Sequence, residues 1–210
     1  MNRQILPRLA AALALSAAFV AQPTVGEPAP PSQKADKSQH ILSDFTLADQ
    51  NGASHHLYDL RDKAAVVLIW QGVGCPIVQQ MTPAIKDVSK RYGSKNIAFM
   101  MMNSNIQDSP ETIRAEVEKF GLGLPVLKDQ KQSVARQLGV QRTAEVVIAE
   151  PKKGWRIVYH GPLDDRLTYG RARPKAENNW ATDVLDGLLA GKPVAYSARP
   201  ADGCIISYDS

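Results

Sequence analysis

Unbroken apolar stretches in the first half of the chain predict two buried strands with a helix between them. Residues 64–70 and 97–102 show no alternation of polar and apolar positions, as expected of strands covered on both faces. Between them, apolar side chains recur every three or four residues from Ile77 to Tyr92, which is the period of an amphipathic helix. Pro76 suits the first turn of that helix and Gly93 suits its end.

Weaker patterns extend this order to both ends of the folded region. Before the first strand, residues 45–57 predict a small hairpin in which Asn51 and Gly52 supply the positive φ of a type I′ turn. After the second strand the pattern predicts a helix over residues 109–120, a short strand over 124–127, a short helix over 133–138, strands over 145–149 and 155–159 joined by a turn, and a helix over 180–189.

This order of elements predicts an α/β fold. Alternating strands and helices in the first half indicate a parallel pair joined by crossover helices, and the later hairpin adds antiparallel strands to its edge. The expected result is a central mixed β-sheet with helices on both faces, extended at its N-terminal end by the small hairpin.

The first 40 residues have a different character from the rest of the chain. Arg3 and Arg8 precede an apolar run over residues 9–21 that is too short to span a bilayer, which is typical of a secretory signal peptide. We assign residues 1–26 to the signal peptide, 27–40 to a flexible lead-in rich in Pro, Ser and Lys, and 41–210 to one folded domain. The mature protein is therefore expected to be exported, either periplasmic or secreted, with no membrane association after cleavage.

Charge and composition exclude several classes of partner and cofactor. The net charge of +4 falls to +2 when Arg3 and Arg8 are removed, because no acidic residue precedes Glu27, so no nucleic-acid partner is expected. His55 and His56 are adjacent, so in a strand they face opposite sides and make a poor metal pair. The chain has no CxxCH haem motif and no glycine-rich phosphate loop, and we expect neither a cofactor nor a bound metal.

The candidate chemistry depends on two cysteines, Cys75 and Cys204. Cys75 stands between Gly74 and Pro76, where the first buried strand gives way to the helix. The unpaired N–H groups and the positive dipole end of a helix lower the pKa of a thiol at that position. The alternative is that Cys75 is only a small buried apolar side chain. Val78 occupies the place where a CxxC motif would have its second cysteine.

Six motifs along residues 42–208 resemble the thioredoxin-like superfamily, and in particular its exported redoxin branch related to alkyl hydroperoxide reductase and thiol-specific antioxidant (AhpC/TSA) proteins. The motifs, in family order, are GCPIV at 74–78, MNSN at 102–105, LPVLKD at 124–129, RTAEVVI at 142–148, GPLDDR at 161–166 and GCI at 203–205. The resemblance implies that a loop at Arg142 and Thr143 lies beside Cys75, where Arg142 adds a positive charge near the thiolate.

Three departures from the family pattern limit what the resemblance implies. Val78 replaces the second cysteine of thioredoxins, and Leu68 and Gly72 replace the Pro and Thr of the peroxiredoxin PxxxTxxC pattern. Ala144 stands where the family has a proline that is often cis. Because a cis bond before a non-proline residue costs about 2.5–4 kcal/mol, we expect a trans peptide and a reshaped loop at Ala144.

The function implied is that of an exported thiol-disulfide oxidoreductase acting on protein thiols or disulfides, with an unidentified electron donor. Cys75 and Cys204 are the expected catalytic residues, with Arg142 and Thr143 supporting the thiolate or binding the substrate. In this hypothesis Cys204 resolves the mixed disulfide formed at Cys75. Three alternatives stay open: an antioxidant thiol peroxidase that forms a sulfenic acid at Cys75, a redox-inactive binding module with a fixed bridge between Cys75 and Cys204, and a copper carrier using Cys75 with a methionine or histidine.

Overall fold

The computed structural model describes residues 40–209 of the 210-residue chain. The signal peptide predicted for residues 1–26, and all but the last residue of the lead-in predicted for 27–40, lie outside the described residues. Within them the elements are β1 (Thr46–Ala48), β2 (Ser54–His56), β3 (Ala65–Trp70), α1 (Pro76–Gly93), β4 (Ile97–Asn103), α2 (Pro110–Phe120), β5 (Val126–Lys128), α3 (Ser133–Leu138), β6 (Val146–Glu150), β7 (Arg156–Gly161), β8 (Leu167–Thr168), β9 (Arg171–Ala172), α4 (Trp180–Leu189) and β10 (Ser197–Ala198). Short 3-10 helices occur at Leu57–Leu60 and Pro151–Lys153.

Six strands form the central sheet in the order β10-β7-β6-β3-β4-β5. β3, β4 and β5 are parallel neighbours, and β10 is parallel to β7. The hairpin of β6 and β7 pairs antiparallel with β3, which places it in the middle of the sheet. The predicted mixed sheet is therefore confirmed, with the parallel and antiparallel parts meeting at β3.

Helices cover both faces of the sheet, and β3 contributes to both cores. Val67 and Ile69 face the core formed with α1, α2 and α4, whereas Val66, Leu68 and Trp70 face the core formed with α3 and the N-terminal hairpin. Every residue of β3 is buried. This two-sided burial explains why the strand has no polar position.

The N-terminal hairpin is confirmed, but its predicted type I′ turn is wrong. β1 and β2 pair antiparallel, with Thr46 opposite His56. Only Gly52 in the turn has a positive φ, at 82°, whereas a type I′ turn requires positive φ at two residues. The Asp49 carboxylate instead accepts the backbone N–H groups of Asn51 and Ala53, at 2.8 and 3.0 Å, so a side chain organises the longer turn.

A buried chain of hydrogen bonds joins the carboxyl ends of the parallel strands to α3. The Trp70 indole N–H donates to Ser104 Oγ at 3.1 Å, and the Ser104 hydroxyl donates to Asp129 Oδ2 at 3.0 Å. The same Asp129 oxygen accepts the backbone N–H of Ala135 in α3 at 3.0 Å. Because a lost partner in this chain leaves a buried polar group unpaired, Asp129 fixes the sheet end from which the Cys75 loop departs.

We expect Asp129→Ala to lower the free energy of unfolding by about 2–4 kcal/mol, because it leaves the Ser104 hydroxyl and the Ala135 N–H buried without an acceptor. Urea denaturation followed by tryptophan fluorescence measures the change. The matched control is Ser133→Ala, which removes a 3.3 Å contact to Asp129 from an exposed residue and should cost less than about 0.5 kcal/mol. Equal stability of the two variants would contradict this role for Asp129.

Candidate active site

Cys75 is the residue that caps the N-terminus of α1, as predicted from the sequence. Its backbone is extended, with φ −68° and ψ 112°, and Pro76 follows in the first turn. The Cys75 side chain is only 2% exposed and makes no capping hydrogen bond. The first-turn N–H groups of α1 therefore act on the sulfur as nearby dipoles.

Two acidic side chains hold the backbone of the loop between β3 and α1, residues 71–75, in place. Asp108 Oδ2 accepts the N–H of Val73 at 2.9 Å, and Glu116 Oε2 accepts the N–H of Gly74 at 2.9 Å. Asp108 is buried, and the same oxygen accepts the Asn103 side-chain amide at 2.8 Å. Sequence reasoning missed both acids. The only available signal was the position of Asp108 after β4, at the sheet end where Cys75 was already placed.

Gly72 is fixed by the close approach of two side chains. A Cβ at this position would lie 2.3 Å from Asn105 Nδ2 and 3.0 Å from Thr143 Cγ2. A side chain at this position, which holds threonine in the PxxxTxxC pattern, would therefore require the Asn105 side chain to move.

Thr143 connects the two cysteines. Its side-chain oxygen lies 3.0 Å from Cys75 Sγ and accepts the backbone N–H of Cys204 at 2.8 Å. The backbone N–H of Thr143 in turn donates to the Cys204 carbonyl at 2.9 Å. Because Thr143 Oγ1 already accepts from Cys204, its own proton is free to point at Cys75 Sγ, which favours the thiolate.

The pKa values of the two thiols are displaced in opposite directions. Burial raises the pKa of Cys75, but hydrogen bonds from the side chains of Cys204 and Thr143 outweigh burial and hold that pKa below the ordinary value. The backbone N–H of Val78, in the first turn of α1, acts in the same direction. Burial and the neighbouring Cys75 thiolate together raise the pKa of Cys204 to about 11. The Cys75 thiol is thus the more acidic of the two, the Cys204 side chain is among the groups that lower its pKa, and neither sulfur is in a disulfide.

Arg142 lies on the outer side of the Thr143 loop. Its guanidinium Nη1 donates to the Tyr169 hydroxyl at 2.8 Å and to the Gly203 carbonyl at 3.1 Å. Its charge is not among the causes that lower the pKa of Cys75. The structure therefore brings Arg142 together with the C-terminal segment that carries Cys204, and its support of the thiolate stays a prediction.

Ala144 has a left-handed backbone conformation, with φ at 66°. Its peptide bond to Thr143 is trans, as predicted, and its N–H donates to the Trp70 carbonyl at 2.7 Å. Proline has no N–H and holds φ near −65°, so it fits neither feature. The loop beside Cys75 therefore has a backbone conformation and a hydrogen bond at Ala144 that a proline at this position would not allow.

Within residues 40–209, no group of three or more His, Cys, Asp or Glu side chains is arranged to hold a metal ion. Met81, and the methionines of β4 at positions 100–102, are buried in the two hydrophobic cores. Over the same range, no helix combines the length and the apolar character that crossing a bilayer requires.

Curated relatives match only part of the chain. The thiol-disulfide oxidoreductase ResA of Geobacillus thermodenitrificans is 27% identical over 97 residues, which cover 46% of this chain and 54% of that protein. ResA of Halalkalibacterium halodurans is 26% identical over 98 residues, covering 46% of this chain and 53% of that protein. The chain spans about half the length of the curated relatives it matches.

Solved structures match over a larger part of the chain. An uncharacterised protein from Geobacillus kaustophilus superposes with a TM-score of 0.69 at 28% identity, covering 80% of this chain and 90% of that one. A hypothetical protein of Sinorhizobium meliloti 1021 gives 0.68 at 29% identity, covering 81% and 94%. The thioredoxin domain of a thiol-disulfide oxidoreductase from Bacteroides vulgatus gives 0.53 at 13% identity, covering 70% and 95%, which is a likeness of fold alone.

The sequence model of one family covers more than half of the chain. The AhpC/TSA family model matches residues 39–158, a range that includes Cys75 and Thr143 and ends in β7. The predicted thioredoxin-like fold is confirmed by the structural neighbours, and the chain belongs to the AhpC/TSA family.

Proposed function

We propose that this protein is a thiol-disulfide oxidoreductase in which Cys75 is the nucleophile and Cys204 is the resolving cysteine. The observation that carries the proposal is the contact of both cysteines with Thr143, combined with the opposite displacement of their pKa values. A nucleophilic thiol needs a thiolate at working pH, and a resolving thiol needs to lie within reach of the first sulfur. The curated relatives named thiol-disulfide oxidoreductases support the same class of reaction.

The reaction follows from this placement in two exchange steps. The Cys75 thiolate attacks one sulfur of a substrate disulfide, forming a mixed disulfide and releasing the other substrate sulfur as a thiolate. Cys204 then loses its proton to the released thiolate or to water and attacks Cys75 Sγ, which releases the second substrate thiolate. The substrate gains two electrons, and the protein is left with a Cys75–Cys204 disulfide that an external dithiol reduces.

The structure favours disulfide exchange over direct peroxide reduction. The peroxiredoxin pattern places a threonine hydroxyl three residues before its cysteine, and that position is Gly72 here. Asn105 and Thr143 fill the space that a side chain at Gly72 would need. Without that hydroxyl, one of the groups that would orient a peroxide beside the sulfur is missing.

We further propose that the protein works outside the cytoplasm. This depends on the signal peptide predicted for residues 1–26, together with the use of two cysteines that form a disulfide during turnover. An oxidising compartment lets the Cys75–Cys204 bridge persist until its electron donor reduces it.

The Cys204→Ser variant should accumulate a mixed disulfide, because the first exchange step is intact and the second has lost its thiol. We expect turnover of a protein disulfide, measured as insulin reduction with an external dithiol, to fall at least about tenfold. Non-reducing mass spectrometry should show the substrate joined to Cys75.

The Cys75→Ser variant is the matched control, since it retains one thiol but lacks the nucleophile. It should neither turn over insulin nor form an adduct. Adducts on Cys204 in that variant, or full turnover by Cys204→Ser, would contradict the assigned roles.

Thr143→Val should raise the pKa of Cys75, because it removes the hydroxyl beside the sulfur while keeping the side-chain shape. A hydrogen bond of about 1 kcal/mol corresponds to a rise of about 0.5–1 pKa unit. The lowered pKa of Cys75 means that the thiolate survives below the pH range of an ordinary cysteine, so the variant's alkylation curve moves to higher pH. The measurement is the rate of iodoacetamide alkylation against pH, made on a Cys204→Ser background so that Cys75 is the only thiol.

Thr82→Val serves as the control for this measurement. Thr82 is a buried residue of α1, the helix that begins after Cys75, and its hydroxyl donates to the Val78 carbonyl rather than to Cys75. Equal pKa values for Cys75 in the two variants would show that the Thr143 hydroxyl does not stabilise the thiolate.

A further inference from the structure

The C-terminal segment 203–206, called the tail, lies against the loop that carries Thr143 and pairs with it through a single isolated antiparallel bridge. Thr143 N–H donates to the Cys204 carbonyl at 2.9 Å, and Ile206 N–H donates to the Gln141 carbonyl at 3.0 Å. Arg142 and Ile205 form the antiparallel bridge between these two bonds. The loop edge is therefore able to hold an extended polypeptide by its backbone, and the tail places a cysteine beside Cys75.

The position before Cys204 admits only glycine. A Cβ on Gly203 would lie 1.8 Å from the carbonyl oxygen of Thr143, far inside contact distance and against the backbone. Any chain that lies on this edge in the register of the tail meets the same oxygen. Glycine before the cysteine is thus a steric requirement of the edge.

The two residues after Cys204 have opposite environments. Ile206 is 3% exposed and packs in the core that contains Trp70 and Val140, whereas Ile205 is 69% exposed. Alternation of this kind follows from a strand with one face against the protein. The edge therefore selects an apolar side chain two residues after the cysteine and places no demand on the residue between them.

The tail also covers the nucleophile, and a few contacts keep it closed. Cys75 is 2% exposed, so a substrate sulfur reaches it only when the tail moves away. Tyr169, at the tip of the β8–β9 hairpin, bonds to the Gly203 carbonyl through its hydroxyl and accepts the Gly203 N–H at 3.2 Å. Arg142 donates to the same carbonyl and to the same hydroxyl. We call this set of contacts the clasp.

We infer that the tail is an internal copy of the substrate. The substrate is an extended polypeptide segment in which glycine precedes the oxidised cysteine and a large apolar residue follows at the second position, and it displaces the tail by pairing with residues 141–143. This inference rests on the proposed function. After Cys75 has formed the mixed disulfide, the tail returns to its edge, so the same movement delivers Cys204 and expels the reduced segment.

The test uses synthetic peptides on the full-length Cys204→Ser protein. The reference peptide, Ala-Asp-Gly-Cys-Ile-Ile-Ser-Tyr, copies residues 201–208 and carries nitrothiobenzoate on its cysteine as a coloured leaving group. Attack by Cys75 joins peptide to protein and releases the coloured thiolate. Three further peptides have alanine for the glycine, serine for the second isoleucine, or serine for the first isoleucine. The rate of each with free glutathione gives its intrinsic reactivity.

After division by the glutathione rate, alanine before the cysteine and serine for the second isoleucine should each slow the reaction at least about tenfold. Serine for the first isoleucine, the matched control, should change it less than about threefold. Equal corrected rates for all four peptides would overturn the inference. The proposed function would survive that result if the small disulfide of nitrothiobenzoate still reacts with Cys75, and would fail with it if that disulfide does not react.

Tyr169→Phe in the Cys204→Ser protein tests whether the tail is the barrier. Loss of the hydroxyl weakens the clasp, and the reference peptide should react about fivefold faster. Tyr196→Phe should have no effect, because that tyrosine is 40% exposed and its ring packs against His40. The inference would be overturned if Tyr169→Phe gave no acceleration. It would also be overturned if the peptide rate fell as the protein concentration rose, because that result would identify the tail of a second copy as the occupant.

Discussion

The chemistry proposed for this protein depends on one contact, that of the Thr143 hydroxyl with both cysteines. One oxygen accepts the N–H of Cys204 and lies beside the sulfur of Cys75, so a single side chain contacts both the proposed nucleophile and the proposed resolving residue. Burial alone would raise the pKa of a thiol as enclosed as Cys75. The hydrogen bonds around the sulfur reverse that tendency, and among them only those from Cys204 require the tail to be on its edge.

Carboxylate side chains hold the loop between β3 and α1 in a fixed position relative to the sheet. Asp108 and Glu116 accept the N–H groups of Val73 and Gly74, which would otherwise lack partners in the turn before α1. Asp129 links the end of β4 to α3 through Ser104. Asp108 and Asp129 are buried, and each accepts hydrogen bonds from backbone or side-chain donors, so the cost of burying them is offset where the strands end. The loop that carries the Cys75 sulfur is therefore held by hydrogen bonds that involve helices on both faces of the sheet, α2 and α3.

The sequence allowed prediction of the elements that have a period or a cap. α1 was recognisable because Pro76 and Gly93 bound an apolar repeat, and the site of Cys75 followed from that start. The β8–β9 hairpin and β10 were missed because strands of two residues contain no period. Gly203 gave no local signal either, since its role comes from the Thr143 carbonyl about 60 positions earlier in the chain. A contact between segments that are far apart in the chain leaves no pattern in the spacing of residues along the sequence.

The separation of the two cysteines changes how an exchange reaction is controlled. In a CxxC motif both sulfurs belong to the same helical turn, so the second thiol is always present. Here Val78 fills that place with a buried side chain, and the second thiol lies on the tail, which is held by a few hydrogen bonds. Its effective concentration at Cys75 is high while the tail is docked and falls when the tail leaves. In the proposed reaction the tail therefore links access of the substrate to removal of Cys204, and return of Cys204 to departure of the product.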